Sequence, residues 1–241
     1  MINPWVEVRA FVRAALVEPV PRDHEESASA FRRRRVVALV TLALGAAVLG
    51  WALRIEPGDP LFYGATCALA ALWTIGALAS GPLHLGRGHT RSGTENSRAI
   101  VQSLALGTLL LALFLAGAII VAKIPVLRDP VDALLDHAGE GSLPVIAAIT
   151  AINGVSEELY FRGALYAGIG RRHAVALTTL IYALVTAAAG VPLLVLAAAL
   201  LGLVTGLQRR VTGGILGPTI THLTWSLGML FLLPSALEFF G

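Results

Sequence analysis

Two glutamates and an arginine lie inside an apolar stretch of the chain, in the string Ser-Glu-Glu-Leu-Tyr-Phe-Arg that carries Glu157, Glu158 and Arg162. One ionised group at the centre of a bilayer costs about 2.5 to 3.5 kcal/mol, so charges in a membrane segment need a functional reason. Glu158 and Arg162 are four residues apart and share a helix face, which predicts an ion pair. Glu157 lies about 100° away on another face. A carboxylate that its own helix leaves unpaired is a candidate general base, the group that takes a proton from water.

Glu157 also admits a structural interpretation, in which it pairs with a polar group on another helix. The candidate partner is His222, because the other histidines lie in tail, loop or border positions. At a rise of 1.5 Å per residue, His222 lies roughly 12 Å from Gly214, and Glu157 lies roughly 8 to 17 Å into its own segment. The two side chains can therefore meet. A lone buried histidine is more often a core residue than a catalytic one, but a neighbouring buried glutamate favours chemistry.

The elements that position these residues are membrane helices. The chain has 241 residues, of which 56% are hydrophobic and 14% charged, and its mean hydropathy is +0.76. These values lie outside the range of soluble domains and predict an all-α, polytopic membrane helix bundle. The basic residues are scattered between apolar segments, which argues against a nucleic-acid partner. The single Cys67 excludes an internal disulfide.

About seven transmembrane segments are predicted, because most of the apolar runs approach the ~20 residues that a spanning helix needs. These runs are Val36 to Leu53, Leu61 to Ser80, Ile100 to Ala122, Leu143 onward through the glutamates, Ala174 to Ala189, Val191 to Leu207, and Ile215 to Leu233. We therefore expect two parts: residues 1–35 as a cytoplasmic, amphipathic N-terminal segment, and residues 36–241 as the membrane domain.

The positive-inside rule sets the expected orientation. With the N-terminus in the cytoplasm, fourteen basic residues fall inside, Arg54, Lys123 and Arg128 fall outside, and Arg162 lies within the membrane. The fourteen are Arg9, Arg13, Arg22, Arg32, Arg33, Arg34, Arg35, Arg87, Arg91, Arg98, Arg171, Arg172, Arg209 and Arg210. We expect the protein in a bacterial inner membrane. Seventeen arginines against one lysine suggest a GC-rich genome.

Three connecting regions can be interpreted. Residues 1–31 lack the apolar core of a signal peptide. Val8, Phe11, Val12, Ala15 and Leu16 recur there at helical spacing, which predicts a helix lying on the membrane surface. The polar, glycine-rich stretch from Gly81 to Ser97 is predicted to be a cytoplasmic loop, and Lys123 to Ser142 an acidic outer loop.

The charged string resembles the first motif of the CPBP intramembrane endopeptidases, in which a pair of glutamates is followed by three residues and then an arginine. This family includes CAAX prenyl proteases, bacteriocin-processing and immunity proteins, and bacterial abortive-infection proteins. The resemblance covers about residues 143–233. It implies that Glu157 activates water and that Glu158 and Arg162 support the local architecture. Gly163 follows the arginine, as it often does in the family.

Two later motifs of the family match in part. His222 aligns with a family histidine, while Ser226 stands where asparagine or aspartate is expected. Tyr182 fits the aromatic position of the second motif, but Thr186 occupies the place of the other family histidine. A threonine hydroxyl can form a hydrogen bond but cannot carry a proton near pH 7.

The resemblance implies an endopeptidase that cleaves a membrane-associated protein or peptide from the cytoplasmic side. Glu157 and His222 are its expected catalytic residues, with Glu158, Arg162, Ser226, Thr186 and Tyr182 in support. A pseudoprotease that binds a membrane partner without cutting it is a second hypothesis, and a small transporter with a Glu157 and His222 relay is a third. We expect no cofactor and no tightly bound metal, because one histidine and two carboxylates make a poor ligand set.

Overall fold

The computed structural model describes residues 3–21, 24–52, 54–55, 59–90, 96–139, 142–170 and 172–240, and helices dominate these residues. The α-helices are α1 (Pro4–Val12), α2 (Ala28–Ala52), α3 (Pro60–Ser80), α4 (Ile100–Val121), α5 (Pro125–Gly139), α6 (Leu143–Glu157), α7 (Tyr166–Ile169), α8 (Ala174–Thr186), α9 (Pro192–Thr212) and α10 (Leu216–Phe240). Two π-helical turns, Arg13–Val17 and Glu158–Leu165, and a 3₁₀ turn, Ala187–Ala189, complete the helical part. Strands β1 (Gly88–His89) and β2 (Asn96–Ser97) form an antiparallel pair.

The prediction of an all-α membrane helix bundle is confirmed. Within the described residues, five helices are long and apolar enough to span a bilayer, namely α2, α3, α4, α9 and α10. The fourth predicted segment is a helical run from Leu143 to Ile169, which the π-turn divides. The fifth, Ala174–Ala189, is a shorter apolar helix. Many large apolar side chains point outward, as Val101 does with 79% of its surface exposed, which suits a lipid environment.

The π-turn Glu158–Leu165 lies at the centre of the bundle. Its residues are almost all buried, and Tyr160 and Phe161 join Trp73 of α3 and Leu201 of α9 in the main hydrophobic core. The Trp73 ring stacks on the Tyr160 ring with centroids 4.4 Å apart, and the Tyr160 hydroxyl donates to the carbonyl of Ala38 in α2 (2.6 Å). Aromatic packing therefore fixes the charged turn against three neighbouring helices.

The predicted outer loop is wrong, because Pro125–Gly139 forms helix α5. Its apolar residues supply the reason: Val131 is buried and packs with Leu237 of α10 in a second small core. Arg128 and Asp132, four residues apart on the same helix, form an ion pair (3.0 Å). The expectation of loop structure relied on acidic residues, of which Glu140 lies outside the described residues.

The N-terminal helix forms where it was predicted. Along α1 and its π-turn, Trp5, Val8 and Val12 are exposed, whereas Ala15 is buried. An exposed row of apolar residues on a short helix suits the surface of a bilayer, so placement of this segment at the interface stays our prediction.

Two of the fourteen arginines that were counted only for the orientation of the chain in the membrane are buried inside the protein. Helix α2 already begins at Ala28, before the predicted segment, and buries Arg34 in the protein. Arg209, near the end of α9, is also buried. Three other members of that count, Arg22, Arg91 and Arg171, lie outside the described residues, as does Leu53 at the end of the first predicted segment.

The loop after α3 is tied to the turn between α9 and α10 by backbone hydrogen bonds. Ile215 donates to the His84 carbonyl (2.9 Å), Leu216 to that of Leu85 (3.1 Å), and Arg87 to that of Thr212 (2.9 Å). A Cβ built on Gly86, whose φ is +81°, would lie 2.6 Å from the backbone nitrogen of Gly214. Only glycine fits this approach, because both the backbone angle and the space exclude a side chain.

The Gly86→Ala substitution is expected to destabilise the protein by about 1–3 kcal/mol, because it strains the backbone and pushes the two segments apart. The matched control is Gly117→Ala in α4, where a Cβ would meet nothing within 4 Å. That change should be neutral or stabilising by up to about 1 kcal/mol. Thermal unfolding in detergent, followed by circular dichroism, measures both. Equal unfolding midpoints for the two variants would show that the contact contributes no stability.

Candidate active site

The two glutamates of the charged string lie at a change of helix type. Glu157 is the last residue of α6, and Glu158 begins the π-turn. A π-turn holds more residues than an α-turn, and such turns are frequent at functional sites. The two neighbouring carboxylates face different helices, since Glu157 contacts α8 and Glu158 contacts α10.

Glu158 is the acceptor at the centre of a buried ion network. Its Oε1 accepts a hydrogen bond from Arg162 Nη1 (2.9 Å) and lies 2.8 Å from His222 Nδ1. The side chains of Glu158 and Arg162 are fully buried, and that of His222 is nearly so. The predicted ion pair between Glu158 and Arg162 is present. The network holds the imidazole with Nδ1 towards the carboxylate, which leaves Nε2 for other contacts.

Glu157 belongs to a separate contact. Its Oε2 accepts a hydrogen bond from the Tyr182 hydroxyl (2.6 Å), and the residue is only partly buried. The expectation that His222 is the partner of Glu157 is therefore wrong as a direct hydrogen bond, because the histidine uses Nδ1 on Glu158. One oxygen of Glu157 is oriented by Tyr182, and Oε1 is left for another hydrogen bond.

Arg162 links the two halves of the site. Its guanidinium lies over the Tyr182 ring, 4.8 Å from the ring centroid, while Nη1 is paired with Glu158. The Tyr182 ring also packs against Phe161 with centroids 4.8 Å apart. A cation over an aromatic face is attracted by the ring quadrupole, so the arginine stabilises the orientation of the tyrosine that holds Glu157.

Thr186 and Ser226, the hydroxyl residues of the two partly matched motifs, differ in their hydrogen bonding. Thr186 donates to the carbonyl of Tyr182 within its own helix (2.9 Å), one turn after the residue that binds Glu157. Ser226 lies one turn after His222 on α10, and among the described contacts its buried Oγ has no hydrogen-bond partner. Ser226 is therefore the hydroxyl that can still donate or accept at the site.

Helix α6 approaches α10 closely beside the histidine. A Cβ added to Gly154 would lie 3.7 Å from His222 Nε2 and 3.1 Å from a methyl group of Leu223. Gly154 precedes Glu158 by one turn on the same helical run. The tight contact at this position is with Leu223, and the Nε2 edge of the imidazole faces the helical run that carries both glutamates.

Among the residues described, no group of three or more histidine, cysteine, aspartate or glutamate side chains is arranged to hold a metal ion. The expectation that the protein binds no metal stays a prediction.

The comparison with protein families bears on this site directly. Residues 139–228 match the family model of the type II CAAX prenyl endopeptidase Rce1-like proteins. This segment is similar to that family. The resemblance to the CPBP endopeptidases is confirmed, and the Rce1-like segment contains all seven residues named for the site. A search of the curated proteins found no match, and a search of the solved structures found none either.

Sequence reasoning missed two residues that support the Rce1-like site. Arg209 donates from Nε to the carbonyl of Arg162 (2.7 Å) and lies over the Tyr166 ring, 5.1 Å from its centroid. Because Arg209 is one of two consecutive arginines at the end of an apolar run, the sequence analysis counted it only as a cytoplasmic charge that orients the chain. Gly154 gave no signal either, because many glycines occur in membrane helices.

The two glutamates are expected to differ in their effect on stability. Glu158→Gln leaves Arg162 without its buried counter-charge and should lower the free energy of unfolding by about 3–5 kcal/mol. Glu157→Gln keeps an oxygen for Tyr182 and should change it by less than about 1 kcal/mol. Thermal unfolding in detergent compares them, with the exposed Glu238→Gln as a charge-matched control. If Glu157→Gln unfolds the protein while Glu158→Gln does not, the assignment of the two roles is reversed.

Proposed function

We propose that the protein is an intramembrane endopeptidase that hydrolyses a peptide bond in a membrane-associated protein or peptide. The observation that carries the proposal is the position of Glu157. It lies beside the buried ion network but outside it, partly accessible, and oriented through one oxygen by Tyr182. A carboxylate held in this way is able to take a proton from water, whereas Glu158 is committed to Arg162 and His222.

In the proposed reaction, Glu157 removes a proton from a water molecule, and the resulting hydroxide attacks the carbonyl carbon of the scissile peptide bond. The proton on Glu157 then passes to the leaving amine, so the carboxylate is regenerated. Tyr182 keeps one carboxylate oxygen oriented, and the other faces the water. This division follows from the single hydrogen bond that Tyr182 donates.

His222 is proposed to stabilise the oxyanion or to orient the water. Its Nδ1 is fixed on Glu158, and Nε2 lies on the side of Gly154. With Nδ1 placed against Glu158, Nε2 is the ring nitrogen left to contact an oxyanion or a water molecule. Ser226 supplies a second donor through its unpartnered hydroxyl, and Thr186 has a weaker role because it already bonds to Tyr182.

We propose a bacterial inner membrane as the location, with the N-terminus in the cytoplasm. The distribution of arginines favours this orientation. It places the segment after α3 and the turn after α9 on the cytoplasmic side, and the substrate then enters from that side.

The first test compares newly formed protein termini in membranes from cells that carry the wild type, Glu157→Gln, Glu238→Gln or no protein. Termini that depend on both the wild type and Glu238→Gln, and that are lost with Glu157→Gln, are expected. Folded amounts of each variant are measured in parallel. Identical termini in all four samples, with folded Glu157→Gln present, would contradict an endopeptidase that uses this base.

A second function is favoured by one residue. Thr186 occupies the place of a family histidine and spends its hydroxyl on the Tyr182 carbonyl, so the site lacks a proton-carrying group at that position. This supports a pseudoprotease that keeps the fold and the buried network and binds a membrane segment without cutting it.

The substitution Thr186→His separates these two functions. It is expected to raise the rate of terminus formation about tenfold or more if the wild type is a weak enzyme, because one member of a concerted site commonly contributes that much. The matched control is Thr178→His, at a buried position two turns earlier on α8, with folding of both variants checked by thermal unfolding. A folded Thr186→His variant without any gain would argue that the rest of the site is also unable to catalyse.

A further inference from the structure

Two neighbouring side chains on α10 carry buried polar atoms that form no hydrogen bond. Within the described part of the chain, these atoms are Nε1 of Trp225 and Oγ of Ser226. The two residues follow His222 by three and four positions, so the three side chains lie close together on the helix surface, one turn apart. The proposed mechanism uses His222 and Ser226 but gives no role to Trp225.

The indole of Trp225 lies beside the imidazole of the site and packs on α4. Its ring centroid is 6.3 Å from that of His222. On α4, the Phe114 ring meets it edge to face, with centroids 5.3 Å apart. Trp225 and Phe114 both pack against the main hydrophobic core, to which Phe161 and Tyr182 belong. The indole is therefore held in apolar surroundings next to a residue that is proposed to act in catalysis.

A tryptophan N–H without a partner inside a membrane protein needs an explanation. The indole has one donor and no acceptor, so Trp225 makes no hydrogen bond to any residue that the structure describes. Tryptophans of membrane helices commonly place this N–H among lipid headgroups or water, but Nε1 of Trp225 is buried. The Phe114 ring offers at most a weak N–H to π contact, which is second-order beside a hydrogen bond. A buried donor in this state is unfavourable until an acceptor reaches it.

A peptide substrate in a bilayer carries the matching acceptors. In an α-helix, each carbonyl accepts a hydrogen bond from the amide four residues later. An extended segment in apolar surroundings has carbonyls without such donors, which is equally unfavourable. If an extended segment lies along α10, one of its carbonyls can accept from the indole N–H, and both unsatisfied groups are then paired.

We propose that Trp225 is a substrate-binding residue, whose indole N–H donates a hydrogen bond to a backbone carbonyl of an extended peptide segment. The proposal rests on the proposed function, because the bound segment is the substrate of that peptidase. The carbonyl concerned is one that does not react, so the contact is equally strong in the ground state and in the transition state. The substrate class is therefore a peptide that is extended around its scissile bond, and a segment that stays helical there is not cleaved.

The test uses the purified protein in nanodiscs and a synthetic peptide that spans the cleavage site found by the comparison of termini above. Trp225→Phe removes the N–H and keeps an aromatic ring. It is expected to raise KM about fivefold or more and to leave kcat within about twofold, because a contact common to both states affects binding alone. Ser226→Ala is expected to lower kcat instead. The matched control is Trp51→Phe, near the end of α2 and 49% exposed, which should keep both constants of the wild type.

A second replacement separates binding from a structural role. 3-Benzothienylalanine at position 225 keeps the bicyclic ring of Trp225 but has no N–H, so it also keeps the test decisive if Trp225→Phe does not fold. It is expected to raise KM as Trp225→Phe does and to unfold at the same temperature as the wild type or higher, because the N–H has no partner in the folded protein. A lower unfolding midpoint with an unchanged KM would assign the N–H a structural role and overturn the proposal.

A change in the peptide shows whether the contact is direct. Each backbone carbonyl near the scissile bond is replaced in turn by a thioamide, whose sulfur is a weaker acceptor. At one position this change should raise KM of the wild type about threefold or more but cause no further rise for Trp225→Phe, because the donor is already absent. Additive effects at every position would overturn the proposal.

Failure of this proposal is distinguishable from failure of the proposed function. If the wild type forms no termini that depend on Glu157, both are overturned. If the wild type cleaves the peptide and Trp225→Phe does so with the same KM, whether or not kcat falls, the peptidase stands and only the binding role of Trp225 is overturned.

Discussion

The buried carboxylate of Glu158 is the interaction on which the rest of the structure depends. Two cationic or potentially cationic partners, Arg162 and His222, converge on one of its oxygens, and all three side chains lie inside a bundle of apolar helices. Such a network is stable only if every member stays in place, because removing one partner leaves a buried charge. The aromatic core around the π-turn and the support from Arg209 serve this requirement. The same constraint separates the two neighbouring glutamates, so that Glu157 lies outside the ion network and accepts its hydrogen bond from Tyr182.

Much of the fold was predictable because lipid imposes a simple rule: apolar helices of about 20 residues cross it, and ionised groups inside it need a partner or a function. The ion pair of Glu158 and Arg162 followed from their spacing alone. The partner of Glu157 could not be predicted in this way, because spacing along one helix does not show which residue of another helix will lie opposite. Tyr182 entered only through a family motif. Helix α5 was not predicted because the acidic residues of this segment were taken as evidence for a loop. Its apolar residues, such as Val131, pack against α10.

The arginines of this chain have two roles, orientation in the membrane and support of the protein interior, and the sequence did not distinguish them. The rule that places basic residues in the cytoplasm counts Arg34 and Arg209 with exposed residues such as Arg87, although the first two are buried and contact the core. The decisive difference is tertiary, since Arg34 meets Glu26 and Ser80, and Arg209 meets the Arg162 carbonyl. A basic residue at the end of a membrane helix can therefore orient the chain and also support its interior. Burial distinguishes these cases.

The contact between the loop around Gly86 and the turn around Gly214 has a consequence for biosynthesis. The loop leaves the ribosome well before α9 and α10, yet the partners of its backbone groups lie at the turn that joins those helices. During synthesis the amides and carbonyls of the loop therefore bond to water until the hairpin of α9 and α10 is inserted. Closure of this end of the bundle follows insertion of that hairpin. A chain that stops short of α10 would expose the unpaired loop, a feature by which an incomplete molecule differs from a finished one.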